Sequence, residues 1–158
     1  MSELDLASLT PLTGGWSGQT FLADVAGERS VVRIYATSGP RGDAAHEVDA
    51  ALLELVRGLL PVPEVLEVRR ADPATGAPAL MITSYVDGVR GDELLPTLDE
   101  EGLGRLGSHL GEVLAVLGGI PMLRSGPFVD GDLRIGTFEG ADDLPEYVAD
   151  AQLPWFTP

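Results

Sequence analysis

The strongest constraint in this sequence is an alternation that turns back on itself. From Gln19 to Val25, Phe21, Ala23 and Val25 recur at every second position. Ala26-Gly27-Glu28 reads as a turn, and Ser30 to Tyr35 returns rich in β-branched residues. A period of two on both sides of a glycine turn is the pattern of a β-hairpin. A further short strand is expected over residues 8–13. After the loop "TSGPRGD" (37–43), with Asp43 placed to cap a helix, the segment from Ala44 to Leu60 carries Val48, Ala51, Leu52, Leu55, Val56 and Leu59 at helical spacing. Pro61 and Pro63 are expected to stop it. Strands over Glu64–Arg70 and Ala79–Tyr85, joined by "DPATGAP", complete the order β-β-β-α-β-β. The expectation is an antiparallel sheet covered by one helix.

The pattern changes at "VDGVRGDELLP", where Gly88, Gly91 and Pro96 make a connector. A helix from about Glu100 to Leu117 puts Leu103, Leu106, Leu110, Val113, Leu114 and Leu117 on one face. "GPFVDGDLRIGTF" reads as a small hairpin turning at Asp130-Gly131, because Asp-Gly between alternating residues is a strong turn signal. "DDLPEYVADAQ" opens another helix, and "LPWFTP" brings Trp155 and Phe156 near the C-terminus.

Bulk properties narrow the function. The chain of 158 residues fits one domain or two small lobes. Its 25 acids against 10 bases give a net charge of −15, which repels nucleic acid and argues against it as a partner. Such acidity also serves plain solubility. Every base is Arg; there is no Lys, no Cys and no Asn. Without cysteine there are no disulfides or thiolate metal sites. No apolar run reaches the length of a membrane span. "MSELDLASL" lacks a basic leader, so a cytoplasmic, membrane-free protein is expected.

Four features carry chemistry. Gly14, Gly15 and Gly18 let the backbone approach a phosphate closely, with Ser17, Gln19 and Thr20 able to add polar contacts. No Gly-Lys-Ser/Thr follows, so this is not a P-loop. Arg33 shares a strand face with Val31 and Tyr35, where a cation needs an anion. Glu47, early in the helix, is placed where a carboxylate pairs with Arg33. "LMITSYVDG" ends a strand at a junction between lobes, a usual place for a nucleotide. Taken singly, the glycines read as well as an ordinary turn, Arg33 as an exposed strand residue and Glu47 as a surface glutamate.

Their order resembles the kinase-like aminoglycoside phosphotransferase family over essentially the whole chain. "LTGGWSGQTFL" looks like its nucleotide loop, "VVRIY" its third strand, "HEVDAALLELV" its glutamate helix, "LVRGLLPVPEVL" the exit from it and "LGSHLGEVLAVLGGIP" the first long helix of its C-terminal lobe. The resemblance implies an α+β fold: a protein-kinase-like N-lobe over 1–86, of a five-stranded antiparallel sheet plus one helix. A connector over 87–96 and an incomplete helical C-lobe over 97–158 would follow. It implies that Gly14, Gly15, Ser17, Gly18 and Thr20 cradle ATP or GTP and that Arg33 holds the α/β-phosphates, oriented by Glu47. Ser84 and Val86 backbone groups would hold the base, with Thr83 behind it.

The implied activity is transfer of a γ-phosphate to an antibiotic hydroxyl. The chain's acidity would suit a cationic antibiotic such as an aminoglycoside or a capreomycin- or viomycin-type peptide. Kinases of sugars, choline or homoserine share the family. Arg stands where kinases in general use Lys, and in this family Arg is a familiar occupant.

One departure is larger. Transfer of this kind uses an Asp in a His-x-Asp loop followed by Asn, and a second Asp for Mg²⁺. His46 is followed by Glu47-Val48 and His109 by Leu110-Gly111, so neither fits. Asp130 and Asp132 follow no catalytic loop and read as the turn. No catalytic or metal-binding residue is therefore expected in this chain, which is read as stopping short of the catalytic loop and as inactive alone. Its expected partners are a nucleotide, the cationic antibiotic, and the C-terminal half of the fold or a second chain, with Mg²⁺ arriving only alongside that half. The rival reading is a non-catalytic acidic binding module or pseudokinase scaffold.

Overall fold

The computed structural model describes residues 9–12, 18–36 and 42–138. Strands β1 (Leu9–Leu12), β2 (Gly18–Val25) and β3 (Glu28–Tyr35) are followed by helix α1 (Ala45–Val56), then β4 (Val65–Arg69) and β5 (Leu80–Ser84). All neighbouring strands are antiparallel, in the order β1-β2-β3-β5-β4, so β3 lies at the centre. The expected β-β-β-α-β-β order and five-stranded sheet are those observed.

The β2–β3 turn is one residue tighter than the sequence suggests: Val25 pairs with Glu28 around Ala26-Gly27. Both turn residues have positive φ, 55° and 87°, the geometry whose twist matches a hairpin. Asp24 closes it by accepting the Gly27 N–H at 3.0 Å.

Helix α1 departs from expectation at both ends. Asp43 does not cap it; Ala44 occupies the N-cap and offers no side-chain hydrogen bond. At the other end the helix stops at Val56, well before the prolines. Arg57 turns extended and Gly58 takes φ +80°, a conformation glycine reaches without steric cost.

The core forms where α1 crosses β4 and β5. Tyr35, Ala45, Ala50, Ala79 and Met81 are buried together, with Leu53 and Val65 packed against them. The β3–β5 register places Arg33 opposite Met81 and Val31 opposite Thr83. Opposite residues share a sheet face, so Arg33 stands on the same side as this core.

After β5 the chain runs through residues 85–90 into α2 (Gly91–Leu94), a 3-10 turn (Leu95–Thr97) and the long helix α3 (Glu100–Gly118). The short α2 falls inside the segment expected to be plain connector, and its 3-10 extension runs one residue past it. Asp99 caps α3 by accepting the Gly102 N–H at 2.8 Å. Of the α3 residues only Gly102 is buried; Leu103, Leu110, Leu114 and Leu117 are exposed.

The expected hairpin near Asp130 is present as a bridge between Phe128 and Ile135. Its turn sits one residue later than expected, with Gly131-Asp132 at the centre and the Leu133 N–H returning to the Asp130 carbonyl at 3.0 Å. The helix expected from "DDLPEYVADAQ" and the "LPWFTP" end lie outside the described residues. Among those described, no helix is long and apolar enough to cross a membrane.

Candidate functional site

Arg33 and Tyr35 are two apart on β3, so their side chains leave the same face of the sheet. The guanidinium lies over the Tyr35 ring, 4.9 Å from its centroid, a cation–π arrangement. Its anion comes from α1: Arg33 Nη1 is 3.3 Å from Asp49 Oδ2. The Tyr35 hydroxyl donates to that same oxygen at 2.8 Å. The Asp49 side chain is 14% exposed and that of Arg33 31%. A cation on a half-buried face needs such a partner, and here it has one.

The carboxylate expected to orient Arg33 was Glu47, and the structure gives that contact to Asp49. Asp49 is four residues before Leu53, which packs on the core, so the two share a helix face. Glu47 is instead in register with Ala51 and Glu54, and it is ion-paired to Arg70. Gly131 lies against this side: a Cβ there would approach the Glu47 Cβ to 3.2 Å. Packing decides between the two acids: Ala45, Asp49 and Leu53 recur every four residues along one stripe of α1, and Ala45 and Leu53 meet the core.

Thr20 on β2 is directly opposite Arg33, which puts it on the same face. Gly18 faces Tyr35 at the start of β2. Gly14, Gly15 and Ser17 lie outside the described residues. Thr83 is buried on β5, opposite Val31 and two positions along the strand from Met81. Ser84 is tied into the sheet edge: its N–H donates to the Glu64 carbonyl at 2.8 Å, and its Oγ accepts the Glu64 N–H at 2.9 Å. Val86 is exposed beyond the strand, and among the described residues its amide donates no hydrogen bond.

Two features here had no sequence signal. Arg29, at the head of β3, holds Asp87 at 2.9 and 3.1 Å and stacks 4.2 Å from the Tyr85 ring centroid, joining the sheet to the connector. His46 is buried, its ring 5.9 Å from that of Tyr35, and among the described residues neither ring nitrogen has a hydrogen-bond partner. His46 lines a cavity of about 420 Å³ with Tyr35, Asp43, Glu47, Arg70 and Ala79, a space that Arg33 and Thr83 do not border.

The Asp130 carboxylate is engaged within the hairpin turn. Asp130 Oδ1 accepts the Asp132 and Arg134 N–H groups at 3.1 and 3.2 Å, while Oδ2 pairs with the Arg134 guanidinium. That guanidinium, first among the causes, holds the Asp130 carboxyl below the usual carboxylate range. Among the described residues no three His, Asp or Glu side chains are grouped to hold a metal ion.

An antiparallel five-stranded sheet with one helix between its third and fourth strands gives the chain a kinase-like fold. Residues 8–154 match the phosphotransferase enzyme family, and the chain belongs to it. No curated protein matches it. Among solved structures it is similar to a thermostable mutant of aminoglycoside phosphotransferase APH(4)-Ia in ternary complex with AMP-PNP and hygromycin B, at 21% identity and a TM-score of 0.53. That match covers 77% of this chain and 38% of the other. The apo form of the thermostable mutant matches at 21% identity and TM-score 0.51, covering 76% of this chain and 37% of its own. APH(4)-Ia itself matches at 20% and 0.51, over 77% and 38%. The chain thus spans well under half the length of these neighbours.

Proposed function

We propose that this chain is the nucleotide-binding part of a small-molecule O-phosphotransferase that moves the γ-phosphate of ATP or GTP to a hydroxyl of an antibiotic. Family membership supports the reaction class. The neighbour solved with AMP-PNP and hygromycin B supports the nucleotide and a cationic aminoglycoside as ligands. The observation that carries the reading is Arg33, held on the α1 side of the sheet by Asp49 at 3.3 Å.

A guanidinium braced by a carboxylate can present N–H donors to phosphate oxygens in the planar geometry that suits them. Gly14, Gly15, Ser17, Gly18 and Thr20 would approach the same phosphates from the β1–β2 side. Thr83 would back the base, the Ser84 carbonyl would accept from it and the Val86 amide would donate to it. In this reading residues 1–86 bind the nucleotide, 87–96 connect, and 97–158 begin the helical lobe. Mg²⁺ would neutralise charge on the transferring phosphoryl group. The chain's own residues bind and orient; it has no His-x-Asp sequence and no Asn to place a substrate hydroxyl.

Calorimetric titration with Mg–ATP and Mg–GTP tests the reading. Saturable binding, reduced at least about tenfold in Arg33→Ala, is expected, since a charged contact is worth roughly 1.5–3 kcal/mol. Binding that ignores Arg33→Ala overturns it. The net charge of −15 favours a second reading, an acidic module that captures cations. That reading gains if an aminoglycoside binds tightly with no nucleotide and no nucleotide binds at all.

A further inference from the structure

We propose that Tyr35 is a positioning residue for the phosphate-binding arginine, fixing Arg33 through Asp49; the proposal rests on the nucleotide reading above. Arg33, Tyr35 and Asp49 form a closed ring of contacts. The Arg33 guanidinium rests on the Tyr35 ring at 4.9 Å, the Tyr35 hydroxyl reaches Asp49 Oδ2 at 2.8 Å, and that oxygen lies 3.3 Å from Arg33 Nη1. Two of the three members come from one strand and the third from α1, so the ring also sets the distance between sheet and helix.

The chemistry of the shared oxygen gives the hydroxyl its role. The Tyr35 hydroxyl donates to Asp49 Oδ2 at 2.8 Å, and Arg33 Nη1 lies 3.3 Å from that same oxygen. A carboxylate oxygen that accepts from a buried hydroxyl is fixed in place, so Tyr35 sets where Asp49 meets Arg33. The ring beneath limits where the guanidinium can swing. An arginine braced in this way loses less rotational freedom when a phosphate arrives.

Packing alone does not call for the hydroxyl. Tyr35 is 6% exposed, among Ala45, Ala50, Ala79 and Met81, a setting in which phenylalanine would bury equal area without a polar atom to satisfy.

The test is titration of the full chain with Mg–ATP. Tyr35→Phe, which keeps the ring and removes the oxygen, should weaken binding about three- to tenfold, the effect of one hydrogen bond. In an Asp49→Ala background the same substitution should change affinity by less than about twofold, because the ring is already open. Unchanged affinity in Tyr35→Phe, or the same loss in both backgrounds, overturns the positioning role and leaves the nucleotide reading standing. A wild-type chain that does not bind Mg–ATP, or an Arg33→Ala variant that binds it undiminished, overturns that reading and this proposal with it. If Tyr35→Phe does not fold, wild-type chain labelled with 3-fluorotyrosine takes its place, its resonances assigned through Tyr85→Phe and Tyr147→Phe. Mg–ATP should then shift the Tyr35 resonance, and an unmoved resonance overturns the role.

Discussion

The sheet with α1 and the segment that begins at Gly91 use apolar residues in opposite ways. In the first, Met81, Ala79, Ala50 and Tyr35 are buried against one another, and the ion pair at Arg33 sits on the edge of that core. In the second, α3 has an equally regular apolar face, yet Leu110 is 55% and Leu114 66% exposed. Helical periodicity is the same signal in both helices; what differs is whether another layer lies opposite. The contrast shows that an amphipathic pattern reports a demand for burial without saying what meets it. It also shows why the candidate site belongs to the first region, where two elements pack tightly enough to hold a strand cation and a helix carboxylate in register.

The contrast breaks most visibly at the core. Met81→Ala should cost about 2–5 kcal/mol in urea unfolding, and Leu114→Ala less than about 0.5 kcal/mol. Equal losses would mean that α3 is packed in solution. Next, the two acids of α1 should separate by function. Asp49→Ala should weaken Mg–ATP binding about tenfold, whereas Glu47→Gln, which parts only the Arg70 pair, should stay within about twofold. The reverse order would restore Glu47 as the orienting carboxylate.

A smaller effect is expected at the β2–β3 turn. Gly27 has φ +87°, so Gly27→Ala should lower stability by roughly 1–2 kcal/mol in the same unfolding assay. A neutral result would show that the hairpin opens at its tip.

The smallest effect is at the β4–β5 turn. Asp72 accepts from the Thr75 hydroxyl at 2.8 Å and the Ala74 N–H at 2.9 Å, and these contacts, the hydroxyl first, lower its pKa. A carboxylate with a depressed folded pKa contributes stability above its unfolded pKa and loses it as pH falls through the folded value. Carboxyl NMR titration should therefore place Asp72 below ordinary aspartates, and Thr75→Ala should raise it toward them. An Asp72 that titrates with the exposed aspartates would remove the turn from this account.

Much of the fold was legible because its signals are local. Alternation over residues 19–35 gives the hairpin, Asp-Gly marks the turn near residue 130, and apolar spacing gives α3 to within a residue of its length. The boundaries of α1 were not legible, because Gly58 ends the helix before the prolines do, and Asp43 has a capping residue's identity without its geometry. Arg33 was readable as a cation out of place among apolar neighbours, but choosing between two acids two residues apart requires knowing which stripe of α1 packs on the sheet, and that is a tertiary fact. Arg29 with Asp87 was not readable at all, since 58 positions separate them and no spacing rule connects a strand's first turn to a connector.

The arginine on β3 has a practical consequence for anyone searching for this protein by its reactivity. Acyl-phosphate derivatives of nucleotides tag kinases by acylating an amine at the phosphate site. In the proposed reading that position carries a guanidinium of far weaker nucleophilicity, in a sequence without a single lysine. On that reading such reagents would leave the site unmarked. Dicarbonyl reagents, which condense with guanidinium groups, suit this protein better, and selective protection of Arg33 by nucleotide, among the ten arginines, would support the proposed phosphate site.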